Sequence, residues 1–149
     1  MKGYTLIEIL IVLVIISIIS TFAVLTIGYN KNKQIEILGN KISNLILLAE
    51  EQAILQPAVF NFVVSENTFQ FYQFDAAEKK WRAVSDDLLK KYTFPAEFEI
   101  ALQNPPLIIS SNGETSAFVL LIGKKNKSPV YKITGAGDGT FSKGWINEK

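Results

Sequence analysis

Between Tyr4 and Ile27 the chain carries a single charged residue, Glu8. Ile9 to Ile16 is unbroken apolar, Ile18, Ile19, Phe22, Val24, Leu25 and Ile27 continue the run, and no proline or glycine interrupts it before Gly28. A helix that is apolar on all sides cannot face water, so it is buried in a bilayer or among other helices. Its roughly 24 residues rise about 36 Å, enough to cross a hydrocarbon core of about 30 Å. A removable signal peptide fits poorly. The n-region is Lys2 alone, no A-x-A-like site follows, and the apolar run exceeds a usual h-region. The sequence therefore predicts a transmembrane or assembly helix over 4–28.

Glu8 is the anomaly in that run. A carboxylate in the apolar part of a membrane helix costs about 2.5–3.5 kcal/mol on insertion scales, and such groups generally face a partner. Its place near the start of the span relieves part of that cost but leaves the need for a partner. Ser17, Ser20 and Thr21 lie on one side of the same helix. They suit close helix packing or hydroxyl bonding back to helix carbonyls, and the sequence leaves both readings open.

After Gly28 the pattern changes. Ile35, Leu38, Ile42, Leu45, Ala49 and Ala53 recur at steps of three and four, with Lys33, Glu36, Lys41, Glu50 and Glu51 between them. This predicts an amphipathic helix over 29–56, stopped by Pro57, with the helix weakened at Gly28 and Gly39. Beyond Pro57 the period becomes two. Runs at 60–64, 69–74, 98–102, 107–109, 117–122, 130–133 and 140–141 predict about seven short strands, separated by turn signals such as Ser65-Glu66-Asn67, Ser111-Asn112-Gly113 and Gly135 to Gly139. No connection is long enough for a parallel crossover, so the strands pair antiparallel. The stretch 88–92 reads as a helical turn or a loop. The fold class is α+β, a long N-terminal helix packed on a small β-rich head over 57–149.

The chemistry the chain lacks is equally informative. Among 149 residues there is no cysteine and no histidine. Disulfides, thiol nucleophiles and thiolate metal sites are excluded, as is a Ser/His/Asp triad. The net charge of +1 gives no overall pull toward nucleic acid. Gly135-Ala136-Gly137-Asp138-Gly139 precedes a strand-like Thr140-Phe141, so it reads as a hairpin turn and not a phosphate cradle. Asp86-Asp87 and Asp138 lack the spacing of a calcium loop and read as solvated turns. Lys124, Lys125 and Lys127 form a basic hairpin tip with the same default reading. No catalytic residue, metal ligand or cofactor is expected.

The run Lys2-Gly3-Tyr4-Thr5-Leu6-Ile7-Glu8 with the apolar stretch after it resembles the processing and assembly motif of type IV pilins and pseudopilins. The resemblance implies that a prepilin peptidase removes a leader, residues 1–3, by cutting after Gly3, and methylates the new amine of Tyr4. It implies that Thr5 and Glu8 serve subunit assembly, the Glu8 carboxylate pairing with the terminal amine of a neighbour. Tyr4 departs from the more usual phenylalanine or methionine. Further on, Leu107 to Gly113, the strands 117–122 and 130–133 and the turn ending in Thr140-Phe141 resemble the GspH/FimT family, whose head is two packed β-sheets on the helix.

This resemblance implies a minor pseudopilin of a type II secretion system, near the tip of a short periplasmic fibre. Its partners would be other minor and major pseudopilins through the N-terminal helices, the prepilin peptidase and an inner-membrane assembly platform. It would be a structural subunit and not an enzyme, single-pass in the bacterial inner membrane, with its head in the periplasm. That orientation rests on the resemblance alone, because Lys2 on one side is outnumbered by Lys31, Lys33 and Lys41 on the other. The rival reading is a minor pilin of a type IV pilus or DNA-uptake machine, which the absence of cysteine disfavours. A third, an anchored periplasmic enzyme, has no catalytic set to support it.

Overall fold

The computed structural model describes residues 6–146, and of residues 21–30 the helical backbone. The expected leader, 1–3, lies outside the described residues. The first element is α1 (Leu6–Leu55), a single helix of 50 residues. Gly28 and Gly39 do not break it. It ends two residues before Pro57, where Gln56 N–H still donates to the Gln52 carbonyl (3.0 Å) and Ala58 N–H to that of Ala53 (3.3 Å). The chain forms two compact units, Met1–Gln34 and Ile35–Lys149.

In the second unit, the remainder of α1 is followed by nine strands among the described residues: β1 (Phe60–Ser65), β2 (Thr68–Asp75), β3 (Lys80–Ala83), β4 (Tyr92–Thr93), β5 (Phe98–Gln103), β6 (Leu107–Ile109), β7 (Phe118–Lys124), β8 (Tyr131–Gly135) and β9 (Phe141–Trp145). They form two sheets. The first runs β3-β2-β1-β6, with β4 also pairing with β2, and the second runs β5-β7-β8-β9. Every pairing is antiparallel.

The alternation seen in the sequence sets the inner faces. Phe62 on β1 packs against Phe69 and Phe71 on β2, ring centroids 5.4 and 5.2 Å away. Phe118, Leu120 and Ile122 on β7 are buried, as are Tyr131 and Ile133 on β8. Each such side chain taken from water contributes about 1.5–3 kcal/mol. The helix adds Ile35, Leu38, Ile42, Ile46, Ala49 and Ala53 to the same core. The expected stripe had Leu45 where the structure buries Ile46, with Leu45 half-buried.

Two strands exceed the expected seven. β3 is exposed at all four positions, so it has no period to read, and its backbone is held by pairing with β2. β4 is two residues long. The stretch before it is a loop, not a helical turn. Asp86 Oδ1 accepts from the N–H groups of Leu88 (2.9 Å) and Leu89 (2.6 Å), and Leu89 is fully buried. Tyr92 then meets Phe69 at 5.1 Å, and Lys41 Nζ lies 4.6 Å from the centre of the Tyr92 ring.

Candidate assembly surface

In the first unit the described part of α1 exposes nearly every side chain it has. Leu6 is 84% exposed and Ile19 63%, and Ile9, Leu10, Ile11, Val12, Leu13, Val14, Ile15 and Ile16 are exposed on all sides between them. Contiguous apolar surface on this scale marks an interaction with protein or membrane. Among the described residues no helix is long and apolar enough to cross a membrane. The predicted span, 4–28, extends past the described side chains at both ends.

Glu8 lies in the first turn of α1 and is exposed. Gly3, Tyr4 and Thr5 fall outside the described residues. Ser17 Oγ donates to the Leu13 carbonyl (2.8 Å) and Ser20 Oγ to that of Ile16 (2.8 Å). Of the two readings open for these serines, the back-bonded one is present, and it removes their polarity from the apolar surface. The Thr21 side chain is outside the description.

In the second unit the acidic turns are occupied by their own backbone. Asp138 Oδ1 accepts from both the N–H and the hydroxyl of Thr140, which holds its carboxyl below the usual carboxylate range. Asp75 Oδ1 caps the N–H groups of Ala77 and Glu78, and Arg82 pairs with Asp75 and Glu78. These bonds, chiefly the one from Glu78, hold the Asp75 carboxyl low. Residues 136–140 form the β8–β9 hairpin turn, with Gly137 and Gly139 at φ +89° and +79°. Among the described residues no group of three potential metal ligands converges.

Two residues of the stalk escaped the sequence reading. Glu50, placed among the solvent-facing residues, is buried at 9% exposure, and burial pushes its carboxyl up to about 7. At 100° per residue it stands only about 70° from the centre of the buried stripe, the same offset as Leu45 on the other side. That angular position was the available signal. Gly39, read as a weak point, is a contact: a Cβ there would lie 2.5 Å from Tyr131 Cε1.

Comparison with known proteins bears on both units. Residues 1–24 match the model of the prokaryotic N-terminal methylation motif. The chain is 28% identical over 117 residues to type II secretion system protein H of Pseudomonas aeruginosa, a match spanning 76% of this chain and 66%, just under two thirds, of that protein. It is 20% identical to type II secretion system protein H of Aeromonas hydrophila, over 92% of this chain and 88% of that one. Among solved structures, the minor pseudopilin EpsH of the Vibrio cholerae type II secretion system superposes with a TM-score of 0.68 at 20% identity, covering 78% of this chain and 97% of EpsH. GspH of E. coli gives 0.63 at 17% identity, covering 77% and 90%. In its N-terminal motif, its sequence and the two-sheet fold of its head, this chain is similar to the minor pseudopilins called protein H of type II secretion systems.

Proposed function

We propose that this chain is a minor pseudopilin of a type II secretion system, a structural subunit of the short fibre that drives folded proteins across the outer membrane. The observation that carries the reading is the conjunction of the methylation motif at 1–24 with a two-sheet head whose fold matches EpsH. Before assembly the subunit waits in the inner membrane with its head in the periplasm. The peptidase cuts after Gly3 and methylates Tyr4. The exposed apolar surface of α1 first lies in lipid. In the fibre it is buried by the helices of neighbours, exchanging one apolar environment for another.

Transfer between two apolar environments gives little direction, so a polar contact must set which neighbour docks and in what register. Glu8, with Thr5 beside it in the motif, fills that role by pairing with the amine of an adjacent subunit. A charge-assisted bond of this kind is strengthened where water is excluded. The product of the subunit is mechanical, and the head supplies contacts to other pseudopilins rather than a reaction centre.

The test compares the culture-supernatant proteome of a host strain lacking this gene with that of the complemented strain. Loss of many exoproteins from the medium, with their retention in the periplasm, is expected. An unchanged supernatant would overturn the secretion role and transfer the assignment to a pilus or DNA-uptake subunit.

A further inference from the structure

The outermost strands of the second sheet are β5 and β9, and β3 ends the first sheet on one side. β3 and β9 carry cations at exposed positions, Lys80, Arg82 and Lys143, which discourages a further strand from pairing there. β5 carries Glu99 instead. Its register fixes which of its backbone groups are free. Lys125 N–H donates to the Glu97 carbonyl (2.9 Å), in line with the pairs Glu99↔Gly123, Ala101↔Leu121 and Gln103↔Val119. Backbone groups alternate in direction along a strand. Glu99, Ala101 and Gln103 therefore turn theirs to β7, and Ile100 and Leu102 turn theirs to the side where no described strand pairs with β5.

β1 has an unpaired edge as well. Phe74 N–H donates to the Val59 carbonyl (2.9 Å), so by the same alternation Phe60, Phe62 and Val64 turn their backbone groups toward β6. β6 pairs only with Phe60 to Phe62. Opposite Val64 the register would bring Pro105, which has no N–H to give. Val64, Ile100 and Leu102 line one groove of about 490 Å³ together with Phe62. The charged residues lining it are Glu66 and Glu99, both exposed, and no described cation lines it with them.

We propose that this groove takes an extended segment of a partner protein, added as a strand along the free side of β5 and alternating apolar with basic residues. Ile100 and Leu102 offer the segment two N–H and two C=O groups. Side chains of adjacent strands meet on the same face. One set from the segment therefore lies on the face of Ile100 and Leu102, which is apolar, and the other on the face of Glu99. A lysine or arginine there meets the carboxylate, and Glu66 adds a second negative charge at the groove. In strand addition of this kind the main-chain bonds give affinity and the side chains give specificity.

The probe is a fluorescein-labelled, amidated hexapeptide of alternating valine and lysine, added to the full chain in zwitterionic detergent micelles. Binding is read by fluorescence anisotropy, and amide exchange by NMR. In the free chain the N–H groups of Ile100 and Leu102 should exchange faster than that of Ala101. With peptide at ten times its dissociation constant they should slow about tenfold. A peptide of alternating valine and glutamate should bind at least about fivefold more weakly, and the lysine peptide N-methylated at alternate residues should not bind. Glu66→Lys with Glu99→Lys should reverse the preference between the two charged peptides. Equal affinity for those peptides, binding of the N-methylated one, or unchanged exchange at Ile100 and Leu102 would each overturn the proposal. Slowing of the same amides with rising protein concentration, in the absence of peptide, would assign the groove to a second copy of this chain and overturn it too.

Discussion

The ring of Tyr131 occupies the space that any side chain at Gly39 would need. A Cβ would lie 2.5 Å from Cε1 and 2.9 Å from Cδ1, inside van der Waals contact. On an exposed helix, Gly→Ala stabilises by about 1 kcal/mol. Here overpacking opposes it with about 1–3 kcal/mol. Gly39→Ala should therefore destabilise the head by up to about 2 kcal/mol, and Tyr131→Leu in the same chain should recover much of the loss. Thermal unfolding read by tryptophan fluorescence is a suitable probe, since both tryptophans, Trp81 and Trp145, lie in the second unit. Stabilisation by Gly39→Ala would show that the ring does not hold that space. Glu50 permits a signed prediction by the same probe. Its folded value, about 7, stands above the ordinary 4.5, so the folded state binds more protons between those limits. Stability therefore falls as pH rises from about 4.5 to 7 and levels off above. Glu50→Gln should be more stable than the unsubstituted chain by about 1–3 kcal/mol at pH 8 and equal to it near pH 4. An equal effect of the substitution at both pH values would contradict this. Neither residue's role was read from the sequence, although the angular position of Glu50 was there to be used. A glycine in a helical pattern signals weakness whether or not a ring lies against it, and a glutamate at the margin of an apolar stripe reads as solvated by its residue type.

Secondary structure was legible where one face is buried and illegible where the chain is exposed throughout. The amphipathic part of α1 and the six strands with alternating burial, β1, β2 and β5 to β8, follow from period alone, whereas β9 was marked only by its strand-like start at Thr140-Phe141. β3 has no buried face, and β4 is a two-residue pairing that owes its place to Tyr92 and Phe94 packing on Phe69. The grouping of strands into two sheets came only with the family resemblance, since alternation reveals a strand's faces and not its neighbours. In the first sheet β1 is an interior strand and joins β6 to β2. Phe62 at its centre is 1% exposed and touches both Phe69 and Phe71. Phe62→Ala should cost about 3–5 kcal/mol, lowering the melting temperature of the head while leaving the helicity of the first unit unchanged. Far-UV circular dichroism beside tryptophan fluorescence separates the two effects. A loss below about 1 kcal/mol would mean that the phenylalanine cluster is not the centre of this core.

At the scale of the whole molecule, the two units present different surfaces. Residues 35–149 form a compact unit with its own core, so a chain beginning at residue 35 should be soluble and unfold in one transition. Aggregation, or the absence of a cooperative transition, would show that the head depends on the apolar helix. That helix exposes its apolar side chains on every side, and apolar burial has no direction. An apolar rod can slide along or rotate against its neighbours at small cost, so ordered assembly needs one interaction that a misplaced neighbour cannot make. Glu8 is the only charged side chain between Tyr4 and Ile27. If it supplies that interaction, Glu8→Ala should leave the subunit in the membrane, because removing a charge from an apolar helix favours insertion. Processing should also be intact, with the N-terminal mass of a methylated Tyr4. What should fail is incorporation, falling at least tenfold in sheared fibres or in crosslinking to neighbouring subunits. Glu8→Asp, a carboxylate one methylene shorter, should incorporate better than Glu8→Ala and less well than the unsubstituted chain. Normal incorporation of Glu8→Ala would remove the pairing mechanism. Loss of processing would instead assign Glu8 to recognition by the peptidase, so the two measurements on one variant separate docking from maturation.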